Sequence, residues 1–146
     1  MKDYTAPALK YAEDVVSGEI LACKWVKLAC QRQLDDLAAE EFHYHFDAEK
    51  ANRVCNFVEN LPHIKGKWAR GGGLIEIEPW QCFVLTTIFG WVDAKGNRRF
   101  KTAYIEVPRK NAKSTIASAV GLYCLCDDDE PGAEVFSAAT HHDQAK

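Results

Sequence analysis

Lys113-Ser114-Thr115 stands where a compact polar loop meets a long apolar segment, residues 116–126. These residue types in this order have a specific use. An ammonium at the start of a helix reaches the outer oxygens of a bound polyphosphate. A hydroxyl next to it completes the coordination of Mg²⁺, and the loop amides and helix N-terminus before them attract the anion. The residues upstream fit the same scheme. Tyr104, Ile105 and Val107 form an apolar run that Pro108 interrupts, and Arg109, Lys110, Asn111 and Ala112 make the loop. Strand, tight loop, Lys-Ser/Thr and helix is the order of a phosphate-binding P-loop.

The loop departs from the regular G-x-x-x-x-G-K-[ST] pattern at both glycines. With the lysine aligned on Lys113, Val107 and Ala112 occupy the glycine positions. A Cβ disfavours positive φ, so the loop is expected to keep φ negative at Ala112. Ala112→Gly should then change nucleotide affinity by less than about 1 kcal/mol. Taken alone, Lys-Ser-Thr before a helix also reads as an ordinary exposed loop.

The surroundings favour the first reading. Val107-Pro108-Arg109-Lys110-Asn111-Ala112-Lys113-Ser114 resembles the deviant Walker A of large terminase subunits, the DNA-packaging motors of tailed bacteriophages, often Val-Pro-Arg-Lys-Asn-Gly-Lys-Ser. Upstream, Glu78-Pro79-Trp80-Gln81 followed by Phe89-Gly90-Trp91 is similar to that family's adenine-side motif. Downstream, residues 131–140 and then Asp143-Gln144-Ala145 resemble its next strand and helix start.

The resemblance implies an α/β P-loop NTPase core, a partial parallel sheet with flanking helices, preceded by an N-terminal helical segment. It implies an ATP-driven motor that moves double-stranded DNA into a procapsid. The cofactors are ATP and Mg²⁺, and the partners are DNA, a small terminase subunit, a portal protein and further copies in a ring. The compartment is the cytoplasm of the bacterial host. Carried over residue by residue, the nucleotide would meet Trp80, Gln81, Pro108, Arg109, Lys110, Asn111, Ala112, Lys113, Ser114 and Thr115. Lys113 contacts the β- and γ-phosphates, and Ser114 is the Mg²⁺ ligand. Arg109 stabilises charge at the γ-phosphate; its rival role is a surface arginine on DNA or a neighbouring subunit. Gln81, whose amide offers one donor and one acceptor in a plane, faces the adenine edge. Its plainer reading, with Trp80, is core packing and a surface amide.

Composition sets the outer bounds. The chain has 146 residues and a net charge of −3, so DNA handling would rest on local basic patches and not on overall charge. No run approaches the roughly 18 apolar residues of a membrane span, and no signal peptide is seen at the N-terminus. The six cysteines form no C-x-x-C pair and read as buried free thiols, with zinc at Cys124-Leu-Cys126 and His141-His142 as the weaker alternative. His43 and His45 lack an acidic partner at motif spacing and read as loop or packing histidines. The run Asp127-Asp128-Asp129-Glu130 lacks the spacing of a calcium loop and reads as a solvated turn closed by Pro131-Gly132.

The elements around these residues follow from periodicity and caps. Thr5 and Pro7 open a short helix that ends near Gly18. Ile20, Cys23, Val26, Cys30, Leu34 and Leu37 make one stripe of a helix from Glu19 to about Glu41. Asp47 caps a third helix that Pro62 stops. The glycine-rich stretch 65–73 is the best boundary and divides a helical segment, 1–65, from the start of the ATPase core, 66–146. Pro79 then opens a helix with Trp80, Phe83, Val84, Thr87, Ile88 and Trp91 on one face. Strands are expected at 74–77, 100–107 and 134–139, the last two joined through the 116–126 helix as a parallel βαβ unit. No Walker B acidic pair and no nuclease carboxylates follow before Lys146, so the chain reads as the N-terminal portion of a longer protein. A different P-loop or helicase-like motor and an inactive prophage remnant are the rival functions.

Overall fold

The structure, a computed structural model, describes residues 2–64 and 70–138. The chain divides into two compact units, Met1–Glu106 and Val107–Lys146. The first carries helices α1 (Thr5–Ser17), α2 (Lys24–Ala38), α3 (Ala48–Glu59) and α4 (Pro79–Gly90), with strands β1 (His45–Phe46) and β2 (Trp91–Val92). In the second, α5 (Lys113–Cys126) is the one element among the described residues. The stretch 65–69, part of the expected connector, lies outside the described residues. Helix α4, expected to belong with the ATPase core, packs against α1 and α3 of the N-terminal segment.

Local chemistry sets most helix bounds. The Asp3 carboxylate accepts from both the backbone N–H and the hydroxyl of Thr5, at 2.9 and 2.7 Å, and so secures the first turn of α1. Gly18 closes α1 at φ 91°, a conformation glycine adopts without penalty. The Asp47 side chain accepts from the Lys50 N–H at 3.0 Å, the N-cap expected for α3. Helix α4 opens on a capping box between Glu78 and Gln81, with Pro79 in its first turn. Helix α2 is shorter than expected, because residues 19–23 turn after Gly18 and Cys23 is extended at ψ 164°. Of its expected stripe only Cys30 is buried, joined by Gln33.

Helix α4 is the core of the first unit. Cys82, Phe83, Leu85, Thr86, Phe89 and Gly90 are all buried, as in a helix covered on most sides. Ala8, Ala12 and Val15 of α1, together with Val54, Cys55 and Val58 of α3, supply the opposing surfaces. Gly90 is needed for close approach. A Cβ there would stand 2.6 Å from Phe46 Cε2 and 3.0 Å from Ala51 Cβ, and the Gly90 carbonyl accepts the Asp47 N–H at 2.7 Å. Beyond it, β2 pairs antiparallel with β1, His45 opposite Val92 and Phe46 opposite Trp91.

The expected parallel sheet is not present among the described residues. Segments 74–77, 100–107 and 133–138 carry no strand, and the sheet is the two-residue antiparallel pair β1–β2. The physical reason is non-local. A strand exists only where a neighbour completes its hydrogen-bond ladder, and no described strand pairs with 100–107 or 133–138. Tyr104 and Phe136 stand 87% and 88% exposed. Residue 139, the expected helix start at Thr140 or Asp143, and His141-His142 lie outside the described residues.

The cysteines are divided. Cys30, Cys55 and Cys82 are buried, but Cys23 and Cys126 are exposed, against the expectation for all six. Burial pushes the Cys30 and Cys82 thiols up to about 11, which keeps them protonated and poor nucleophiles. No group of three or more metal-binding side chains occurs among the described residues.

Glu59, at the end of α3, ties three segments together. Its carboxylate accepts from Lys2 Nζ at 2.8 Å, Tyr4 Oη at 2.9 Å and the Ile77 N–H at 3.2 Å. Burial raises its pKa, but the hydrogen bonds from Lys2, Ile77 and Tyr4 outweigh burial and hold it below the ordinary 4.5. A carboxylate with a depressed folded pKa stabilises fully above the unfolded value and loses that contribution as pH falls through the folded value. The thermal midpoint is therefore expected to drop on acidification below about 4.5, and Glu59→Gln should flatten that dependence. An unchanged acid response in Glu59→Gln would assign the effect to other carboxylates.

Candidate nucleotide-phosphate site

Residues 109–112 turn into α5, which begins with Lys113, Ser114 and Thr115. Pro108, Arg109, Lys110, Asn111, Ala112, Lys113, Ser114 and Thr115 are all exposed. Helix α5 runs for 14 residues, has no acidic residue in its first turn and starts at Lys113. Its N-cap, Ala112, makes no side-chain cap, so the first-turn N–H groups are left for a ligand or solvent. Arg109, Lys110 and Lys113, all exposed, put three cationic residues in the loop and at the first helical position.

The backbone carries the more specific signal. Ala112 is left-handed, at φ 54° and ψ 17°, and Lys113 after it is helical. Lys110 also has positive φ, 69°, whereas Asn111 between them does not. The sign of φ therefore alternates across residues 110–113. A left-handed residue followed by a right-handed one turns successive N–H groups toward one concave side, the anion-binding nest of P-loops. The Asn111 side chain braces the turn, its Nδ2 donating to the Pro108 and Arg109 carbonyls at 3.2 and 3.3 Å.

This overturns the expectation for Ala112. Its φ is +54°, in the region that costs a Cβ about 1 kcal/mol and costs glycine nothing. Ala112→Gly is accordingly expected to tighten ATP binding two- to fivefold, roughly 0.5–1 kcal/mol, in an equilibrium titration. Looser binding would mean that the observed backbone is not the binding conformation.

Trp80 and Gln81 sit on α4 in the first unit. Trp80 is half-buried. Gln81 is 95% buried, being only 5% exposed, and its Oε1 accepts the Glu78 N–H at 2.8 Å. The amide oxygen thus has a capping role, which leaves Nε2 as the group open to other use. The signal was present in the sequence as Glu78-x-x-Gln81 directly before an apolar helix. Trp91 is buried and donates from Nε1 to Gln33 Oε1 at 2.7 Å. Beside it Arg99 pairs with Asp36 and lies over the rings of Phe42 and Trp91, at 4.7 and 5.6 Å. This cation–aromatic cluster was not foreseen, because its members are scattered over more than sixty residues.

Fit to the implied ligands can be judged from these donors. The nest, the open helix N-terminus and the three cations suit a polyphosphate. For Mg²⁺ the described residues of the loop offer the Ser114 hydroxyl.

A loop of this backbone shape opening a helix occurs in nucleotide-handling proteins, and the comparisons with known proteins add a partial match. Residues 79–146, just under half of the chain, match the family model of the terminase large subunit, ATPase domain. That stretch is similar to part of the ATPase domain of terminase large subunits. No curated protein and no solved structure matches the chain. An α/β P-loop core is implied by this similarity alone, since the described fold is mostly helical. No described helix is long and apolar enough to cross a membrane.

Proposed function

We propose that this chain is the ATP-binding part of a phage packaging motor, coupling ATP hydrolysis to the movement of double-stranded DNA into a procapsid. The observation that carries this reading is the alternating backbone of residues 110–113, at the start of α5 and inside the family match. Lys113 holds the outer phosphates, and Ser114 supplies a hydroxyl to Mg²⁺, which when bound neutralises phosphate charge. Arg109 approaches the γ-phosphate. The adenine-side role of Trp80 and Gln81 rests on the family resemblance of residues 78–91, and for Gln81 it falls to Nε2. DNA, a small terminase subunit, a portal protein and further copies of the chain in a ring are the partners, in the cytoplasm of the bacterial host.

Equilibrium dialysis with radiolabelled ATP and Mg²⁺, with AMP as competitor, tests the reading. ATP retained by the protein and displaced poorly by AMP is the expected result, because the loop grips the outer phosphates. Equal competition by AMP would remove the phosphate nest from the account. The alanine at a positive-φ position favours one rival, a weakened remnant of such a site, and absence of ATP retention would support it.

A further inference from the structure

We propose that Asn111 is the positioning residue that keeps this glycine-free loop in its anion-binding shape. The inference rests on the phosphate reading above and deepens it. Regular P-loops obtain positive φ from glycine at no cost. Here Lys110 and Ala112 take φ 69° and 54° with side chains attached, and nothing in their own residue type favours that. Something nearby must hold them. Asn111 sits between the two strained residues, and its single side-chain nitrogen donates to two carbonyls of the same turn, those of Pro108 and Arg109. These bonds close the loop on itself on the carbonyl side. The N–H groups of the following residues are not consumed by them, so the brace and the ligand do not compete. Asn111 is exposed, so its substitution removes no core packing.

The role can be separated from direct contact with nucleotide by non-additivity. If Asn111 acts by holding strain, then Asn111→Ala weakens ATP binding about tenfold, the effect of two lost hydrogen bonds. Ala112→Gly, which relieves the strain itself, should then restore affinity at least fivefold in the Asn111→Ala background, and clearly more than it adds to the unaltered loop. A loss without that extra rescue would show that Asn111 touches the ligand directly and would overturn the proposal. So would an Asn111→Ala chain that binds as before. A second measurement needs no nucleotide. Three-bond HN–Hα couplings and amide shifts of residues 110–113 in the free protein should report positive φ at Lys110 and Ala112, and should change in Asn111→Asp, which keeps the shape and loses both donors. Identical couplings in Asn111→Asp would overturn the bracing role even if ATP binding itself proved absent. A changed loop with no ATP binding in the unaltered protein would uphold the bracing and refute the nucleotide reading instead.

Discussion

Lys113→Ala is expected to lower ATP affinity by roughly a hundredfold while leaving the fold intact. The size follows from the interaction lost. Hydrogen bonds between an ammonium and phosphate oxygens are charge-assisted and contribute about 1.5–3 kcal/mol, which at the upper end is just over a factor of a hundred. The selectivity follows from position. Lys113 is exposed at the first residue of α5, and no described residue forms an ion pair with it, so truncation leaves no cavity and no orphaned partner. Titration of wild type and variant with ATP, beside circular dichroism of both, separates loss of binding from loss of structure. Retained affinity in a folded variant would show that the loop does not hold phosphates.

The second large effect is on stability. Leu85→Ala in α4 is expected to cost about 3 kcal/mol, within the usual range for a fully buried leucine cut to alanine. Leu85 is 1% exposed and lies on the helix that α1 and α3 both pack against. Collapse of the surroundings into the space is restricted, since Ala8, Ala12 and Ala51 already use the smallest side chains on the facing helices. A denaturant titration of the chain, followed by tryptophan fluorescence, should show a lower midpoint with an unchanged slope. Val84→Ala, at a half-buried position of the same helix, provides the contrast and should cost clearly less. Equal costs at the two sites would argue against α4 as the centre of the first unit.

What could be read from the sequence divides along physical lines. Local rules succeeded. The Asp47 cap, Pro79 at the start of α4, Gly18 at the end of α1 and the helix after Lys113 depend on a few adjacent residues, and the structure has each. Non-local features were not readable. Whether 100–107 or 134–139 becomes a strand depends on partners elsewhere, not on the β-branched and aromatic residues inside it. The placing of α4 with the N-terminal helices depends on small residues of α1 spaced to accept it, a pattern that resembles any amphipathic face. At the site, residue types pointed to the loop and its helix, but φ at Ala112 was misread. The sequence shows that a Cβ is present there; it does not show that Asn111 could hold the backbone against it. The burial of Gln81 was open to the capping pattern, yet a planar amide suits an adenine edge and a helix cap equally well.

The central claim is that backbone N–H groups of residues 110–115 gather around a polyphosphate. ¹⁵N-labelled protein titrated with ATP and Mg²⁺ tests it most directly, amide by amide. The expected result is that the largest shifts fall on the amides of Lys110, Asn111, Ala112, Lys113, Ser114 and Thr115, that they saturate with ATP, and that they vanish in Lys113→Ala. Shifts confined to other residues, or none at all, would contradict the account.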